Sequence, residues 1–342
     1  MERRTFNKLL VATTALAATG VMARAQAQVR ELRLSEGGGL NGDAINAGYA
    51  RPFTAKTGVK IIRESPNTFG KLRALVESKS NATTMFELGT ASLEQAKALG
   101  LVEKLDWEKI APLPMFPEAK DDYGMGYQYY STLMCWRVGV KAPKNWADFF
   151  NARDFPGKRT VPDNPVYALP IALLAAGVPI EKLFPLDIDL AFRQLEEVKK
   201  DVSVWWKAGA QPPQLLRDNE VQYGVSFSGR VVGQEGIEYT YSQANLNIGF
   251  IAIVKGASAA DTDLAYKFLH EMTDPMNQLV AAEIVPYSGN SPDFESLLPK
   301  QQIAAFPTTV ENKKVQFFND QAWWLKNTDI VQQRWQEFAL NR

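Results

Sequence analysis

The stretch Val29-Arg-Glu-Leu-Arg-Leu-Ser-Glu-Gly-Gly-Gly39 begins a strand–loop–helix order that decides the fold. Its first six residues predict a short strand, and its three glycines predict a tight loop before a helix that ends at Gly58. The same order recurs with strands at Val59–Ile62 and Thr84–Leu88. Strands separated by single helices are typical of βαβ units, so we expect a parallel sheet flanked by helices.

The carboxyl ends of these three strands are the predicted location of a ligand, because ligands of parallel sheets bind at that edge. The corresponding loops are Ser35–Gly39, Ser65–Phe69 and Gly89–Ser92. The triple glycine indicates either close backbone approach to a ligand or a simple tight turn. It is not followed by Gly-Lys-Ser/Thr, so a phosphate-binding loop is poorly supported.

Apolar periodicity and capping residues predict the remaining elements. We predict helices from Asn41 or Asp43 to about Lys56, after a cap at Asn67, over Ser92–Leu99, Val166–Ala176 and Leu190–Lys200, and from about Asp261, a strand at Val221–Ser226, and crossing strands near Leu133–Val138 and Leu246–Val254.

The N-terminus has the pattern of an export signal. A basic segment, Met1–Lys8, precedes the apolar run Leu9–Met22 and the small-residue exit Ala23-Arg-Ala-Gln-Ala27. The run is too short to span a bilayer comfortably, and the order Arg3-Arg4-x-Phe6-x-Lys8 resembles a twin-arginine signal. We therefore expect residues 1–27 to be a cleaved signal peptide and the mature protein to be periplasmic.

Composition narrows the possible functions. Lysine plus arginine and aspartate plus glutamate both number 38, which gives no general attraction to nucleic acid or to an anionic membrane. The single cysteine, Cys135, excludes an internal disulfide and is expected to be buried. The single histidine, His270, is expected on the surface and leaves nucleophilic catalysis and zinc sites without their usual partner. We expect no catalytic residue, no metal and no cofactor, although hydrolysis by two carboxylates needs no histidine.

Eight further segments are similar, in order, to a known family. They are Trp146–Phe150, Phe155–Arg159, Ala172–Pro179, Phe184–Phe192, Val204–Gln211, Gln214–Leu216, Val285–Asn290 and Trp323–Trp335. Together they resemble the extracellular solute-binding proteins of spermidine/putrescine-type ABC importers, and the resemblance runs from about Val29 to Trp335. It implies the type II periplasmic binding protein fold: two α/β lobes, each a mostly parallel sheet flanked by helices, joined by crossing strands. It also implies a monomer that delivers a small solute to a permease and its ATPase.

The length of the mature chain agrees with two lobes. We predict that lobe 1 comprises residues 28–136 plus about 248–305. Lobe 2 comprises residues 137–247 plus the C-terminal helices at about 306–342.

The resemblance also bears on the solute. The polyamine binders hold amines with carboxylates and aromatic walls, and the matching acidic positions here are Asn164, Tyr167 and either Gly249 or Ile248. The matching first-loop aromatic is Glu36. Because a desolvated ammonium needs a paired anion, the missing carboxylates argue against a polyamine.

The expected ligand is a small polar solute that is amino-acid-like, polyamine-like or phosphonate-like. In the zwitterion hypothesis, Glu36 pairs with the amine, and Arg230 and the glycine-loop amides receive the acid; Arg230 could equally be a surface residue. The predicted ligand-binding residues are Ser35, Glu36, Gly37, Gly38, Thr90, Tyr130, Ser131, Asn164, Tyr167, Trp206, Arg230, Tyr241 and Phe250. If a polyamine bound after all, Asp163, Glu87 and Glu235 would be the next carboxylates to consider. The alternative function is that of an exported carboxylate-dependent hydrolase.

Overall fold

The computed structural model describes residues 30–80 and 82–342. One eight-stranded sheet has the order β2-β1-β3-β8-β4-β7-β5-β6. The strands are β1 (Glu31–Ser35), β2 (Lys60–Glu64), β3 (Met85–Gly89), β4 (Met125–Arg137), β5 (Arg159–Pro162), β6 (Val202–Trp206), β7 (Tyr223–Phe227) and β8 (Ile237–Ile253). The helices are α1 (Gly39–Ile45), α2 (Arg51–Thr57), α3 (Phe69–Glu77), α4 (Thr90–Ala98), α5 (Trp107–Ile110), α6 (Trp146–Phe150), α7 (Pro165–Ala175), α8 (Ile188–Val198), α9 (Gln211–Arg217), α10 (Ser228–Val231), α11 (Ala259–Glu271), α12 (Pro275–Ala282), α13 (Phe294–Leu297), α14 (Val310–Lys314) and α15 (Gln321–Leu340).

Two long antiparallel strands, β4 and β8, form the centre of the sheet. At one edge β1 pairs in parallel with β2 and β3, and at the other β5 pairs in parallel with β6 and β7. β3 and β7 join these parallel groups to the centre by pairing antiparallel with β8 and β4 respectively. The predicted α/β class with crossing strands is therefore confirmed.

Separate hydrophobic cores lie under the two ends of the sheet. The first core includes Leu34, Phe53 and Phe268, all fully buried. The second core includes Trp146 and Phe149, which are also fully buried, and it extends to α15 through Trp335. Both cores contact the long central strands, so each end of the sheet has its own packing and shares the centre.

The C-terminal end of α2 lies at the predicted glycine, whereas the starts of α1 and α3 differ from the predicted capping residues. Gly58 ends α2 with φ 73°, in the left-handed region that favours glycine. The first predicted helix begins at Gly39 rather than after Asn41 or Asp43, and a π-helical segment, Asn46–Ala50, joins α1 to α2. Thr68 caps α3 by accepting a hydrogen bond from the Lys71 amide, so the prediction of a cap at Asn67 was wrong.

The predicted signal peptide, residues 1–27, lies outside the described residues, as does Val29. Within the part of the chain that the structure does describe, no helix combines the length and the apolar character needed to cross a bilayer.

The π-helical segment packs tightly against α12. A methyl carbon added at Gly48 would lie 2.6 Å from the carbonyl oxygen of Asn277 and 2.7 Å from Cβ of Ala281. Gly70 on α3 has nothing within 4 Å of the same position. The two glycines therefore form a matched pair for testing this contact.

We predict that Gly48→Ala lowers the free energy of unfolding by about 1–3 kcal/mol, because the added methyl overpacks the contact with α12. Gly70→Ala should leave it unchanged or raise it by up to about 1 kcal/mol, because alanine is the better helix former. Urea denaturation followed by circular dichroism measures both. Equal stability of the two variants would contradict the packing described for α12.

Candidate functional site

A cleft of about 420 Å³ lies across the centre of the sheet, at the ends of the strands that flank it. It is lined by residues from both halves of the sheet: Gly37, Gly38, Asn41, Asn67, Glu87, Leu88, Gly89, Gln128, Tyr130, Gly209, Phe227, Arg230, Gly249 and Tyr287. Only Glu87 and Arg230 among these are charged. The location agrees with the predicted edge of the sheet, since Asn67 and Gly89 belong to two of the predicted strand-end loops.

Glu87 is the acidic group of the cleft. It lies on β3 in the otherwise apolar run Met85-Phe-Glu-Leu88, and the residue is 8% exposed. One carboxylate oxygen accepts hydrogen bonds from the Tyr127 hydroxyl at 2.6 Å and the Asn41 amide at 2.8 Å. The other accepts from the Gly37 backbone amide at 2.7 Å. These short bonds fix the carboxylate at the cleft wall.

Two further donors to Glu87 are more distant. The side-chain amides of Asn67 and Gln128 lie 3.3 and 3.4 Å from its oxygens, and both residues line the cleft. All five donors are neutral. Across residues 30–80 and 82–342, no lysine, arginine or histidine forms an ion pair with Glu87.

The electrostatic consequence is a perturbed acid. Burial raises the pKa of Glu87 above its ordinary value, and the neighbouring charge of Glu36 raises it further. The hydrogen bonds from Tyr127, Gly37 and Asn41 act in the opposite direction because they favour the ionised form. A buried carboxylate without a paired cation costs free energy, and a bound cation would reduce that cost.

Arg230 is the basic group, and it reaches the cleft from the other half of the sheet. It lies on the short helix α10, directly after β7, and is half-buried. Within the described chain it forms no ion pair with a carboxylate, so its guanidinium keeps its donors for a ligand. The sequence left a cleft position and a surface position open for Arg230, and the structure places this residue in the lining of the cleft.

Aromatic rings line the cleft between the two charged groups. Tyr130 on β4 packs against Phe227 and Tyr287, with ring centroids 5.7 and 5.4 Å apart. All three rings line the cleft. They offer apolar contact to the middle of a ligand whose ends are charged.

Glu36 does not line the cleft, which corrects the predicted amine-binding role. Its side chain is 3% exposed, and its carboxylate pairs with the Arg63 guanidinium at 3.0 Å. The Gly38 backbone amide also donates to Glu36, and the Gly37 amide donates to Glu87. The glycine-loop amides are therefore occupied by the protein's own carboxylates, although Gly37 and Gly38 do border the cleft.

Three other predicted residues lie beside the cleft and not in its lining. Ser35 is fully buried and accepts a hydrogen bond from Lys71 at 2.9 Å. Thr90, the first residue of α4, donates to the carbonyl of Ile248 at 3.2 Å. Ser131 is fully buried and donates to Gln316. Each hydroxyl already serves the protein's own hydrogen bonding.

The remaining five predicted residues support the walls from behind or lie elsewhere. Trp206 donates to the Val225 carbonyl and packs edge-on against Phe227, and Tyr167 packs against the same ring. Phe250 belongs to the first core, and Tyr241 donates to the carbonyl of Ala305. Asn164 is exposed and caps α7. Trp206, Tyr241 and Phe250 are buried behind or away from the lining, and Asn164 serves as a helix cap.

Sequence reasoning did not select Asn41, Gln128, Phe227 or Tyr287 for the site. Glu87 was considered only for the case of a polyamine ligand. The sequence feature that could have identified Glu87 is a single charged residue inside an apolar strand. Burying such a charge is costly unless it is hydrogen-bonded or binds a partner. Tyr287 lies in the segment Val285–Asn290, which carried the family resemblance without being assigned to the ligand.

The single cysteine and the single histidine of the chain lie outside the cleft lining. Cys135 is fully buried, as predicted, and burial raises the pKa of its thiol. His270 is half-buried rather than on the surface, with Nδ1 2.8 Å from the carbonyl oxygen of Ala111. Neither residue lies in a position to act on a ligand.

Comparison with known proteins places this geometry in context. A family model described as bacterial extracellular solute-binding protein matches residues 48–316. The γ-aminobutyric acid (GABA)-binding protein of Pseudomonas aeruginosa is 30% identical over 330 residues, 93% of each chain.

Two solved structures are similar over nearly the whole chain. An ABC transporter substrate-binding protein from Bradyrhizobium japonicum is 30% identical, with a TM-score of 0.85 over 90% of this chain and 99% of that one. A structure described as a GABA receptor is 31% identical, with a TM-score of 0.82 over 90% and 97% of the two chains.

The spermidine/putrescine-binding protein of Streptococcus pneumoniae is a more distant neighbour. It is 19% identical with a TM-score of 0.73, covering 90% of this chain and 99% of that one, so that likeness concerns the fold alone. The predicted resemblance was therefore right for the family and too narrow for the subgroup. With a family model matched over most of its length, this chain belongs to the bacterial extracellular solute-binding protein family.

Proposed function

We propose that this protein is the solute-binding component of an ABC importer and that it captures a zwitterionic ω-amino acid of the GABA type. One observation carries the proposal: the only two charged residues lining the cleft, Glu87 and Arg230, are of opposite sign and lack ion-pair partners in the described chain. A ligand with an ammonium group and a carboxylate group supplies both missing partners. The names of two relatives, a GABA-binding protein and a GABA receptor, support the same ligand class.

The placement of the charges favours an ω-amino acid over an α-amino acid. Glu87 lies on β3 and Arg230 follows β7, and these strands are separated by β8 and β4. Three strand spacings amount to about 14 Å between the strand axes, which the two side chains shorten by reaching into the cleft. An α-amino acid carries both charges on one carbon, whereas an ω-amino acid carries them at opposite ends of a methylene chain. The rings of Tyr130, Phe227 and Tyr287 suit such a chain.

At the Glu87 end, the ligand ammonium would take the place of the weaker donors. Asn67 and Gln128 make the longest hydrogen bonds to the carboxylate, at 3.3 and 3.4 Å, and Asn67 keeps a 2.9 Å bond to the Glu87 backbone carbonyl when its long bond is replaced. The ammonium then meets a carboxylate already oriented by Tyr127 and Gly37. Pre-orientation lowers the entropic cost of binding.

We further propose the transport context implied by the family. The two cores would act as two lobes that close on the solute, with the divisions predicted from the sequence, and closure would favour delivery to a permease and its ATPase. A monomeric protein exported to the periplasm fits this role.

The alternative, a hydrolase using two carboxylates, has little support. Glu87 is the single carboxylate in the cleft lining, and its acidic neighbour Glu36 is buried in an ion pair with Arg63. Paired acid and base or nucleophile residues both need access to the substrate. The relatives reported above are described as binding proteins.

We predict that Glu87→Gln and Arg230→Gln each weaken GABA binding by at least about thirtyfold. Truncating one partner of a buried charge pair costs about 2–5 kcal/mol, because the other charge is left unpaired. Isothermal titration calorimetry measures the change. Glu235→Gln and Arg193→Gln, at exposed positions away from the cleft, are matched controls and should bind as the unmodified protein does. Undiminished affinity in Glu87→Gln would refute the assigned ammonium site.

Affinity should also depend on pH through Glu87. The raised pKa means that Glu87 becomes protonated at a higher pH than an ordinary glutamate, and the neutral form cannot pair with an ammonium. GABA affinity should therefore fall as pH falls through that pKa. The ligand carboxylate titrates near pH ~4, so a loss at higher pH reports on the protein. Calorimetry across the pH range tests this, and the remaining affinity of Glu87→Gln should be flat where the unmodified protein loses affinity.

Putrescine and spermidine should be poor ligands, at least about a hundredfold weaker than GABA. One amine can pair with Glu87, but the second would meet the Arg230 guanidinium and suffer like-charge repulsion. A thermal-shift screen followed by calorimetry compares them directly. A dissociation constant for either polyamine equal to that for GABA would contradict the repulsion assigned to Arg230.

A further inference from the structure

The loop between α12 and α13 places Tyr287 in the lining of the cleft. The loop is held against the central strand β4: Ser288 exchanges backbone hydrogen bonds with Tyr129 at 2.8 and 3.1 Å. The side chain of Asn290 donates to the Gly126 carbonyl at 2.7 Å and accepts from Gln278 at 2.6 Å. Tyr287 therefore projects from a fixed backbone and not from a free loop.

The ring of Tyr287 touches the other half of the molecule at Gly229. A methyl carbon added at Gly229 would lie 2.4 Å from Cε1 and 2.8 Å from Cζ of Tyr287. Gly229 immediately precedes Arg230 on α10, so the backbone that carries the guanidinium rests on the tyrosine ring. This contact ties the position of Arg230 to that of Tyr287 across the cleft.

The phenol end of Tyr287 lies on the Arg230 side of the cleft, because its Cε1 and Cζ atoms are the nearest to a methyl carbon added at Gly229, the residue before Arg230. Burial is the main reason that the pKa of Tyr287 is raised to about 12; the charge of Arg230 lowers this pKa and that of Glu87 raises it. The hydroxyl therefore stays protonated near neutral pH and remains a donor. Among the residues that the structure describes, none accepts a hydrogen bond from it.

From these contacts we propose that Tyr287 determines specificity for the acid end of the ligand. Its hydroxyl donates to the ligand carboxylate beside Arg230, and the Gly229 contact sets the spacing of these two donors. This inference rests on the proposed function and deepens it. The protein would distinguish GABA from 4-aminobutanamide, its uncharged amide, because only the carboxylate accepts strong hydrogen bonds from both donors.

The test is calorimetry with GABA and 4-aminobutanamide on the unmodified protein, Tyr287→Phe and Tyr239→Phe. Tyr287→Phe keeps the ring and removes the hydroxyl, so GABA affinity should fall about tenfold or more while amide affinity changes less than about threefold. Tyr239→Phe removes a hydroxyl outside the cleft lining and should change neither affinity. Gly229→Ala should weaken GABA binding about tenfold, and Gly70→Ala, with open space around its added methyl, should not.

The outcomes separate the two levels of the proposal. Tight GABA binding by the unmodified protein, with Tyr287→Phe equally tight, overturns the role of Tyr287 and leaves the proposed function standing. Equal losses for GABA and its amide in Tyr287→Phe also overturn it, because a merely structural tyrosine would affect both ligands alike. Failure of the unmodified protein to bind any ω-amino acid refutes the proposed function and this inference together.

Discussion

The antiparallel pairing of β4 with β8 is the constraint on which the rest of the structure depends. These strands of 13 and 17 residues pair over most of the length of β4, and every other strand reaches the centre of the sheet through one of them. Their pairing is interrupted between Thr132 and Met134, where residues 241–244 of β8 form an excursion that has no partner on β4. The excursion contains Gln243 in a left-handed backbone conformation with φ 55°, fixed by hydrogen bonds to Trp146 and Val315.

This central pairing sets the geometry of the cleft. β3 lies against β8, with Glu87 opposite Ile251, and β7 lies against β4 just before α10 carries Arg230. The acidic and basic groups are thus held by the strands on either side of the central pair. Glu87 is held without a counter-charge by neutral hydrogen-bond donors, whereas Arg230 is only half-buried and the backbone beside it rests on Tyr287. Such unpaired charges cost stability, which is common at binding sites and is offset by the two large cores.

The sequence was sufficient for the scaffold and for the edge of the sheet where the cleft lies, but not for the individual side chains that line the cleft. The helix end at Gly58 and the alternation of strands with helices follow from local backbone preferences, which can be predicted from a single sequence. The choice between Glu36 and Glu87 depends on strand pairing: Glu36 directly follows β1, Glu87 lies on the neighbouring β3, and the pairing of β1 with β2 brings Arg63 onto Glu36. Tyr287 and Arg230 meet through a contact between distant segments, which no local pattern encodes.

The presence of one positive and one negative residue in the lining of the cleft has a consequence for the rate of ligand binding. The charges of Glu87 and Arg230 are opposite, so the lining of the cleft carries no net charge. The proposed zwitterionic ligand would therefore feel little long-range attraction, because neither it nor the lining of the cleft carries a net charge. Ionic strength, which screens fields over about 10 Å at 0.1 M, then has little to act on. Under the proposed function, capture of the solute would be set by diffusion and by the fit of the cleft, and its rate would change little with the salt content of the surroundings.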